Sequence, residues 1–428
     1  MTKPTVLVIA EQANPEWVSV PLVGWSLAEA LRRALGAHVV TQVRNRDAFL
    51  RAGLVEGQDF TAIDTETLAA PMHHFATALR RGKATGWTLN TAIEGLIYPY
   101  FEHLVWRRFR DDISAGRIDI VHRVTPLTPT AVSPIAAKCA AAGIPFVLGP
   151  LNGGVPWPAA FDAERRRERE WLSYVRGLYK VKPGRGRMLD ATAAILAGSR
   201  HTASEFPARV RDRILYLPEN AIDPTRFDKM AAQDLSAPLR ACFIGRLVPY
   251  KGPDMLLEAA APALREGRLR LDILGDGPMR GDLEAQAARG GLAQSVTFHG
   301  NVPHARVQDI AAEANLLTFP SIREFGGGVV LEAMALGVVP LIIDYAGPGE
   351  LVTAQTGHKV PIGTRAEIVA GLRDRLEAIL ADPAHLPDMG VRARARARDL
   401  FTWQAKADQI ARVYDWVLGH ADHPGSLL

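Results

Sequence analysis

The chain has 428 residues, of which 48% are hydrophobic and 22% charged, a composition typical of a globular protein with two domains. No stretch approaches the roughly 20 apolar residues of a membrane-spanning helix. The apolar run at 6–10 is too short for the core of a signal peptide. The two cysteines, Cys139 and Cys242, lie far apart in apolar surroundings, so we expect reduced core residues in a cytoplasmic protein.

The net charge of +4 is unevenly distributed along the chain. Residues 1–195 hold 24 lysines and arginines against 18 acidic residues, a net of +6, so the remainder carries −2. A basic half suggests that this part of the protein meets anions or an anionic surface. No recognised nucleic-acid motif accompanies the charge, so we do not expect nucleic-acid binding.

The first half predicts strands that alternate with helices. Apolar runs predict strands at 5–10, 39–43, 118–124, 145–148, 193–197 and 214–217, with helices at 22–35, from about 90 to 110, and 135–142. This alternation favours an open parallel sheet with helices on both faces.

The loop at 149–158 contains three glycines and three prolines and follows a predicted strand. Such a loop at a strand's carboxyl end is either a ligand-binding loop or an ordinary surface connection. The sequence leaves both interpretations open.

The segment 161–187 carries nine lysines and arginines, with aromatic residues interleaved at roughly helical spacing. A basic amphipathic helix of this kind can lie on an anionic membrane surface. It can equally be a solvated helix whose apolar stripe packs on its own domain. Both kinds of helix have the same hydrophobic periodicity, so the sequence leaves both interpretations open.

The second half repeats the alternating pattern after a turn-rich junction at 218–227. Strands are predicted at 239–244, 269–274, 296–299, 315–319 and 338–343, with helices at 254–264, 304–313, 329–336, 365–381 and 402–418. The short glycine motif at 275–277 predicts a tight turn and is weak evidence for any ligand.

The stretch 315–350 predicts a strand, a loop, a helix and a second strand. The loop would lie at the carboxyl end of a parallel strand, where such sheets bind ligands. It contains Glu324 and the glycines 326–328, which let backbone amides approach a ligand closely. Glu332 is an acid within a nearly apolar helix, so it is either a functional residue or a satisfied structural acid.

Arg246 and Lys251 flank a loop that follows the strand at 239–244. Two cations beside backbone amides at a strand's carboxyl end suit a diphosphate. The alternative is a pair of solvated surface charges. Because this loop and the Glu324 loop are predicted at the same sheet edge, they could face one site.

These residues resemble a known family. The motifs GRLVPYKGPDMLLEA, ILGDGP, FHGNVP and EFGGGVVLEAMALGVVPLIIDYAGPGELV are similar to the nucleotide-sugar half of the retaining glycosyltransferases of family 4, also called glycosyl transferases group 1. Glu324 and Glu332 match the family's two glutamates, separated by seven residues. The resemblance implies the GT-B fold, two Rossmann-like, doubly wound parallel-sheet α/β domains facing a central cleft. We expect domains at 1–215 and 216–400, with the C-terminal helix in 402–428 packing back on the first.

The resemblance also implies a role for each matched residue. Arg246 and Lys251 would bind the donor diphosphate, Glu332 the donor ribose, and Glu324 the transferred sugar. The sugar and phosphate would meet amides of Gly326, Gly327, Gly328 and Val329, and the base would meet Asn301 and Val302. The catalytic set would be Glu324, His122, Arg246 and Lys251, with no metal and no cofactor besides the donor substrate.

The residues expected to bind the acceptor resemble the family's pattern less closely than those expected to bind the donor. We expect Gly24, Asn152, Gly153 and Gly154 to line it. Many members of the family have a second histidine two positions after the one that matches His122, and here that position is Val124. His122 is therefore either a site residue or a core histidine at a strand end.

The sequence thus predicts a metal-independent retaining glycosyltransferase that uses a UDP- or GDP-linked sugar and a glycan or lipid-linked acceptor, in cell-surface or exopolysaccharide synthesis. We expect a cytoplasmic location, and the membrane alternative for 161–187 adds a peripheral position at the inner face of the plasma membrane. Two other functions stay open. One is a nucleotide-sugar epimerase of the same fold, and the other is a non-catalytic glycosyltransferase-like partner subunit.

Overall fold

The computed structural model describes residues 3–66, 86–162, 165, 180 and 182–428, and only the backbone of 86–96, 304 and 305. The chain divides into two compact units. Unit 1 comprises Met1–Gly153, Tyr174–Glu219 and Lys406–Leu428, and unit 2 comprises Gly154–Ser173 and Asn220–Ala405. Residues 154–162 and 165 thus belong to unit 2, although they fall inside the range predicted for the first domain.

The elements follow one another in a regular alternation. The strands are β1 (Val6–Ala10), β2 (His38–Gln42), β3 (Phe60–Ile63), β4 (Ile120–Thr125), β5 (Phe146–Leu151), β6 (Ala194–Ala197), β7 (Ile214–Tyr216), β8 (Leu239–Ile244), β9 (Leu269–Leu274), β10 (Val296–Gly300), β11 (Leu316–Phe319), β12 (Val339–Asp344) and β13 (His358–Pro361). The described α-helices are α1 (Val20–Leu35), α2 (Arg46–Arg51), α3 (Gly86–Ser114), α4 (Ile135–Ala141), α5 (Arg185–Ala191), α6 (Arg200–Ser204), α7 (Pro253–Arg265), α8 (Arg280–Arg289), α9 (His304–Ala311), α10 (Gly328–Ala335), α11 (Ala346–Leu351), α12 (Arg365–Ala381), α13 (Leu386–Leu400) and α14 (Trp403–Val417).

Each unit is built on one parallel sheet. Unit 1 has seven strands in the order β3-β2-β1-β4-β5-β6-β7, and unit 2 has six in the order β10-β9-β8-β11-β12-β13. The central strands β1, β4, β5 and β11 are buried along their whole length, as expected where helices cover both faces of a sheet. These two parallel-sheet α/β domains are the GT-B architecture, so the predicted fold is confirmed.

Local sequence signals explain several helix boundaries. Helix α1 begins with a proline in its first turn and ends at Gly36, which adopts the left-handed conformation that glycine tolerates. Helix α12 begins with a capping box, in which Thr364 and Glu367 each bond to the other's backbone amide. Both signals fix helix ends without help from tertiary contacts.

The sequence did not predict α13, which packs against α10. Its buried side comprises Leu386, Met389, Gly390, Ala393 and Ala397. The helix is rich in arginine, and arginine alternates with alanine from 392 to 398, so no continuous apolar stripe is visible in the sequence. Strands β3 and β13, at the sheet edges, were also missed because each has only four residues and is partly exposed.

Other predictions concern membranes and thiols. Among the described residues, no helix has the length and apolar character needed to span a bilayer. Of the basic segment predicted at 161–187, residues 163, 164, 166–179 and 181 lie outside the described part of the chain. Cys139 and Cys242 are buried free thiols, as predicted for core residues. Burial raises the pKa of both thiols.

Candidate functional site

The candidate site lies where the strand order of unit 2 changes direction. Strands β8 and β11 are neighbours at the centre of this sheet, and the chain proceeds outward from them to opposite edges. The loops that follow two such strands diverge and leave a crevice, which is where doubly wound sheets bind ligands. The loop after β8 contains Arg246 and Lys251, and the loop after β11 contains Glu324.

The two loops are joined by backbone contacts. The amide of Ile322 donates to the carbonyl of Tyr250 at 2.9 Å, and the hydroxyl of Ser321 donates to the same carbonyl at 3.3 Å. Gly252 has φ +69°, and a Cβ there would lie 2.7 Å from the carbonyl oxygen of Pro320. Only glycine therefore allows the loops to approach this closely. The prediction that the loops lie together is correct.

Lys251 and Glu324 form an ion pair at the centre of this arrangement. The Lys251 side chain is 14% exposed and that of Glu324 is 23% exposed, so water reaches both only in part. The Lys251 ammonium also lies 4.8 Å from the centroid of the Phe319 ring, within cation–π range. The pair presents a cation and a carboxylate together at the sheet edge.

The Gly-Asp-Gly turn at 275–277 supports the Arg246 loop from behind. A Cβ on Gly275 would lie 2.0 Å from the carbonyl oxygen of Gly245, and one on Gly277 would lie 2.4 Å from that of Leu247. The amide of Leu247 donates to the carbonyl of Asp276 at 2.9 Å. These glycines therefore fix the position of the loop that holds Arg246 and Lys251, a role that the sequence motif alone did not reveal.

The other predicted donor-side residues lie on neighbouring loops. Arg246 is exposed and makes no side-chain hydrogen bond or ion pair with any residue in the described ranges. Asn301 and Val302 directly follow β10, where the Gly275 amide donates to the Gly300 carbonyl at 2.8 Å. In the described chain, no group of three or more histidine, cysteine or acidic side chains is placed to hold a metal ion.

The N-terminus of α10 is built from glycines. Gly327 has φ +59° and precedes the first helical residue, Gly328. Gly347 packs against the Phe325 carbonyl so closely that a Cβ would lie 1.9 Å from its oxygen. Glu332 is partly buried on this helix, between the buried residues Leu331 and Ala333. The two interpretations of Glu332, as a functional residue and as a structural acid, both stay open.

A segment that includes the end of the predicted loop at 149–158 covers the same sheet edge, a contact that the sequence did not predict. In unit 2, the Tyr345 hydroxyl donates to the Pro156 carbonyl at 3.0 Å. The Trp157 ring lies 5.1 Å from the Arg323 guanidinium carbon and 6.3 Å from the Tyr250 ring. We call residues 154–162 the strap. The sequence Pro156-Trp157-Pro158 could have indicated this contact, because two prolines restrict the backbone on both sides of the aromatic residue.

His122 is a core residue, and its assignment to the catalytic set is corrected. It is fully buried in β4, and its Nε2 lies 2.7 Å from the Gly149 carbonyl while its Nδ1 lies 2.6 Å from the Tyr414 hydroxyl. A carbonyl only accepts, so Nε2 carries the proton and Nδ1 accepts from tyrosine. Burial lowers the pKa of His122 to about 4. Both ring nitrogens are thus occupied within unit 1.

The four residues predicted on the acceptor side lie in different parts of the structure, and three of them make contacts within unit 1. Gly24 is buried in α1, where a Cβ would lie 2.6 Å from the Gln12 carbonyl oxygen, so its position serves helix packing. The Asn152 amide donates to Glu219 at 2.9 Å, and the Gly153 amide donates to Thr202 at 3.0 Å. Gly154 begins the strap in unit 2 and has φ +79°. Gly24 is therefore no longer a candidate for acceptor contact.

Comparison with known protein families gives a match to one part of the chain. Residues 228–396, which include the loop of Arg246 and Lys251 and both predicted site glutamates, match the family described as glycosyl transferases group 1. The match covers this part of the chain, which is less than half of its length. The predicted resemblance is confirmed.

Curated relatives extend the similarity at moderate identity. A D-inositol 3-phosphate glycosyltransferase of Nocardia farcinica is 36% identical over 246 residues, 54% of this chain and 53% of that protein. A glycogen synthase of Mycobacterium tuberculosis is 31% identical over 198 residues, 46% of this chain and 47% of that protein. The chain spans about half the length of these relatives.

Solved structures match this chain over nearly its whole length. A glycosyltransferase from Rickettsia africae superimposes with a TM-score of 0.62 at 14% identity, covering 98% of this chain and 100% of that one. The Anabaena protein HepE in complex with UDP superimposes with a TM-score of 0.60 at 16% identity, covering 96% and 99%. At this identity the similarity establishes the fold.

Proposed function

We propose that this protein is a retaining glycosyltransferase of family 4. It transfers a sugar from a UDP- or GDP-linked donor to a glycan or lipid-linked acceptor in cell-surface or exopolysaccharide synthesis. The observation that carries the proposal is the contact between Lys251 and Glu324 at the switch point of the second sheet. This contact lies inside the part of the chain that matches the group 1 family.

In this proposal the donor diphosphate binds between the two loops. Lys251 is held at the sheet edge by the turn at Gly252, and Arg246 is exposed beside it on the same loop. Their positive charges stabilise the negative charge that develops on the leaving nucleotide. The amides that begin α10 face the sugar and phosphate, since helix N-termini favour anions.

The two glutamates have separate roles. Glu324 lies beside Lys251 and accepts hydrogen bonds from hydroxyls of the transferred sugar. Glu332 lies partly buried one turn into α10 and accepts from the donor ribose. Backbone groups near Asn301 and Val302 meet the base. Two carboxylates on opposite sides of one bond would indicate a glycosidase, but here the second glutamate is on the helix behind the loop.

The transfer is a front-face displacement. The bond between the anomeric carbon and the phosphate oxygen breaks, and the acceptor oxygen bonds to that carbon on the same face. The acceptor proton passes to the departing phosphate oxygen. Lys251 and Arg246 hold that phosphate, and no step needs His122, whose nitrogens are occupied in the core.

A screen of nucleotide sugars, followed by trials of acceptors with the best donor, tests the proposal. We expect Lys251→Ala to lower turnover by about a hundredfold, since one donor to a transition-state anion contributes that much. Lys229→Ala is a matched control, because it removes a surface lysine paired with Asp309 in the same unit. Wild-type turnover by both Lys251→Ala and Glu332→Ala would reject the site.

The same screen separates the alternatives. Conversion of a nucleotide sugar to its isomer with no acceptor present would indicate an epimerase. Failure of the wild-type protein to bind any nucleotide would indicate a non-catalytic partner subunit.

The proposal includes a peripheral position at the inner face of the plasma membrane, based on the basic and aromatic sequence of 161–187. Binding to liposomes that contain anionic lipid should weaken as the salt concentration rises, because salt screens exposed charges. No binding at low salt would reject the membrane contact and leave the transferase proposal intact.

A further inference from the structure

The sheet of unit 1 has a switch point of its own, between β1 and β4. These neighbouring strands lead outward to opposite edges, so the loops that follow them leave a crevice of the kind in which such sheets bind ligands. The loop after β4 comprises residues 126–134, and we call it the β4 loop. Since the proposed donor site lies in unit 2, the crevice of unit 1 is available to a different ligand.

A fully buried arginine lies beneath the β4 loop. Arg123 belongs to β4, and its side chain points to the face of the sheet opposite to that of His122, because successive strand residues alternate. The guanidinium donates to the Ala131 carbonyl and the Ser133 hydroxyl, each at 2.9 Å, and to the Thr128 carbonyl at 3.1 Å. Three groups of one loop therefore meet a single planar donor.

A buried acid completes this arrangement. The Ser133 hydroxyl, which accepts from Arg123, also bonds to the carboxylate of Glu102 in α3. Glu102 accepts from the Tyr98 hydroxyl at 2.5 Å and from the Ile135 amide, at the start of α4, at 3.1 Å. The cation thus holds the middle of the β4 loop, and the carboxylate holds the residue that follows its end.

Other contacts hold the two ends of the β4 loop. The Asn152 amide donates to the Leu127 carbonyl at 2.6 Å, and the Ser133 amide donates to the Met188 sulfur at 3.1 Å. Arg123 reaches the residues between these ends. Its hydrogen bonds therefore fix the part of the loop that the end contacts leave free to change shape.

The partly exposed side chains of this middle part carry hydroxyl groups. The carbonyls of Thr128 and Ala131 turn inward to Arg123, whereas the side chains of Thr128 and Thr130 are partly exposed. Their two hydroxyl oxygens lie 2.9 Å apart. Lys182 contacts the Thr130 carbonyl only at 3.5 Å. A hydroxyl both donates and accepts, so this pair suits the hydroxyls of a sugar.

The buried charges have a stated physical cost. A guanidinium and a carboxylate lose their hydration in the core, and apolar residues of similar volume often stabilise a protein as well or better. What the charges provide here is one fixed shape for the β4 loop. A loop that is already ordered loses less conformational freedom when a ligand binds, so it binds more tightly.

We propose that the β4 loop binds a sugar unit of the acceptor through the hydroxyls of Thr128 and Thr130, and that Arg123 is the positioning residue that holds them in place. The proposal rests on the proposed function and deepens it by assigning part of the acceptor site. Arg123 acts through the loop and does not touch the acceptor.

Kinetics of the whole protein provide the first test, with the glycan or lipid-linked glycan that gives the highest turnover in the acceptor trials. Thr128→Val and Thr130→Val each remove one hydroxyl and keep the shape of the side chain. We expect each to raise the acceptor KM by about threefold to tenfold, the effect of one neutral hydrogen bond. The kcat and the donor KM should stay within about twofold. An unchanged acceptor KM in both variants would overturn the assignment.

Ser133→Ala tests the positioning role. It removes the hydroxyl that links Arg123 to Glu102, so amides of the β4 loop should exchange hydrogen at least about threefold faster. The acceptor KM should rise by about threefold to tenfold. Thr65→Val is the matched control, because it removes another buried hydroxyl of unit 1, one that accepts from Gln42. It should change neither quantity, and wild-type exchange in Ser133→Ala would overturn the role of Arg123.

A double-mutant cycle separates positioning from a general loss of stability. In a protein that already lacks both threonine hydroxyls, Ser133→Ala should raise the acceptor KM by less than about twofold. An equal rise in both backgrounds would overturn the positioning role. Arg123→Lys keeps the charge but loses the planar fork, so it should resemble Ser133→Ala, and a wild-type acceptor KM would contradict the proposal. If Arg123→Lys does not fold, Ser133→Ala decides.

These results also separate the inference from the proposed function. A wild-type protein that turns over no nucleotide sugar would reject both. Turnover of the donor with no carbohydrate acceptor, or an acceptor KM that the threonine variants leave unchanged, would reject this inference alone.

Discussion

Lys251 and Glu324 form an ion pair although 73 residues separate them in the chain. Both are predicted to meet the same nucleotide sugar, one at its diphosphate and the other at its sugar. In the protein without donor they satisfy each other. A diphosphate that binds Lys251 must therefore compete with the Glu324 carboxylate, and its arrival frees that carboxylate for the sugar hydroxyls.

This competition predicts opposite effects on binding and on turnover. Glu324→Gln keeps the shape of the side chain but removes its charge, so UDP or GDP should bind about fivefold more tightly, the equivalent of about 1 kcal/mol. Sugar transfer should fall by at least about tenfold, because the carboxylate acceptor is lost. Calorimetry and a donor-turnover assay measure the two effects.

The control for this prediction is Glu313→Gln, which neutralises a surface glutamate paired with Arg240 in the same unit. It should change neither quantity. Weaker nucleotide binding by Glu324→Gln would show that the pair does not compete with the diphosphate.

Substitution of Gly277 should damage the site from behind. A Cβ there would lie 2.4 Å from the Leu247 carbonyl oxygen, so Gly277→Ala must displace the loop of Arg246 and Lys251. Overpacking of this kind costs about 1–3 kcal/mol of the free energy of unfolding. We also expect weaker nucleotide binding. Urea unfolding and calorimetry provide the two measurements.

Gly281→Ala is the matched control for that change. Gly281 lies in α8, and a Cβ there would meet nothing within 4 Å. Alanine should therefore raise stability slightly, by up to about 1 kcal/mol, because it favours the helix over glycine. Equal destabilisation by both substitutions would contradict the proposed role of the turn.

His122 should make the protein sensitive to acid. Burial lowers its pKa from 6.5 to about 4, so the unfolded chain binds a proton that the folded protein does not. This contribution is fully present above pH 6.5 and is lost as the pH falls toward 4. It predicts a decrease of about 2 kcal/mol in the free energy of unfolding between pH 7.5 and pH 5.

His122→Gln removes the titrating group and retains an amide that can donate to the Gly149 carbonyl. Urea unfolding at the two pH values should show that the pH dependence is smaller in the variant by about that amount. An unchanged dependence would contradict the assignment of His122 as a neutral core residue.

Lys406 should produce a pH dependence of the same sign at higher pH. It is fully buried, and burial lowers its pKa from 10.5 to about 7, partly offset by the Glu219 carboxylate. Between pH 7 and pH 9.5 the unfolded chain holds more protons, so stability rises with pH by about 3 kcal/mol. Lys406→Met should abolish this rise in urea unfolding from pH 7 to pH 9.5, and a rise that persists would contradict the prediction.

Repeated alternation of buried strands and helices was readable from the sequence because it is local. Strands β8 and β9 lie where the apolar runs place them, since a strand buried on both faces is a continuous apolar run bounded by turns. The helix α10 was also predicted within one residue at each end. Helix α13 was not, because arginine alternates with alanine through its second half and leaves no continuous apolar stripe.

The sequence by itself determined that two parallel sheets would form and that Arg246, Lys251 and Glu324 would lie on loops at one sheet edge. Only the tertiary structure decided which groups satisfy one another there. It pairs Lys251 with Glu324, brings Trp157 across to Arg323, and encloses His122 between Gly149 and Tyr414. These partners are separated by long stretches of chain, and periodicity carries information only about neighbours within a few residues. Which distant side chain fills a given position depends on packing of the whole unit.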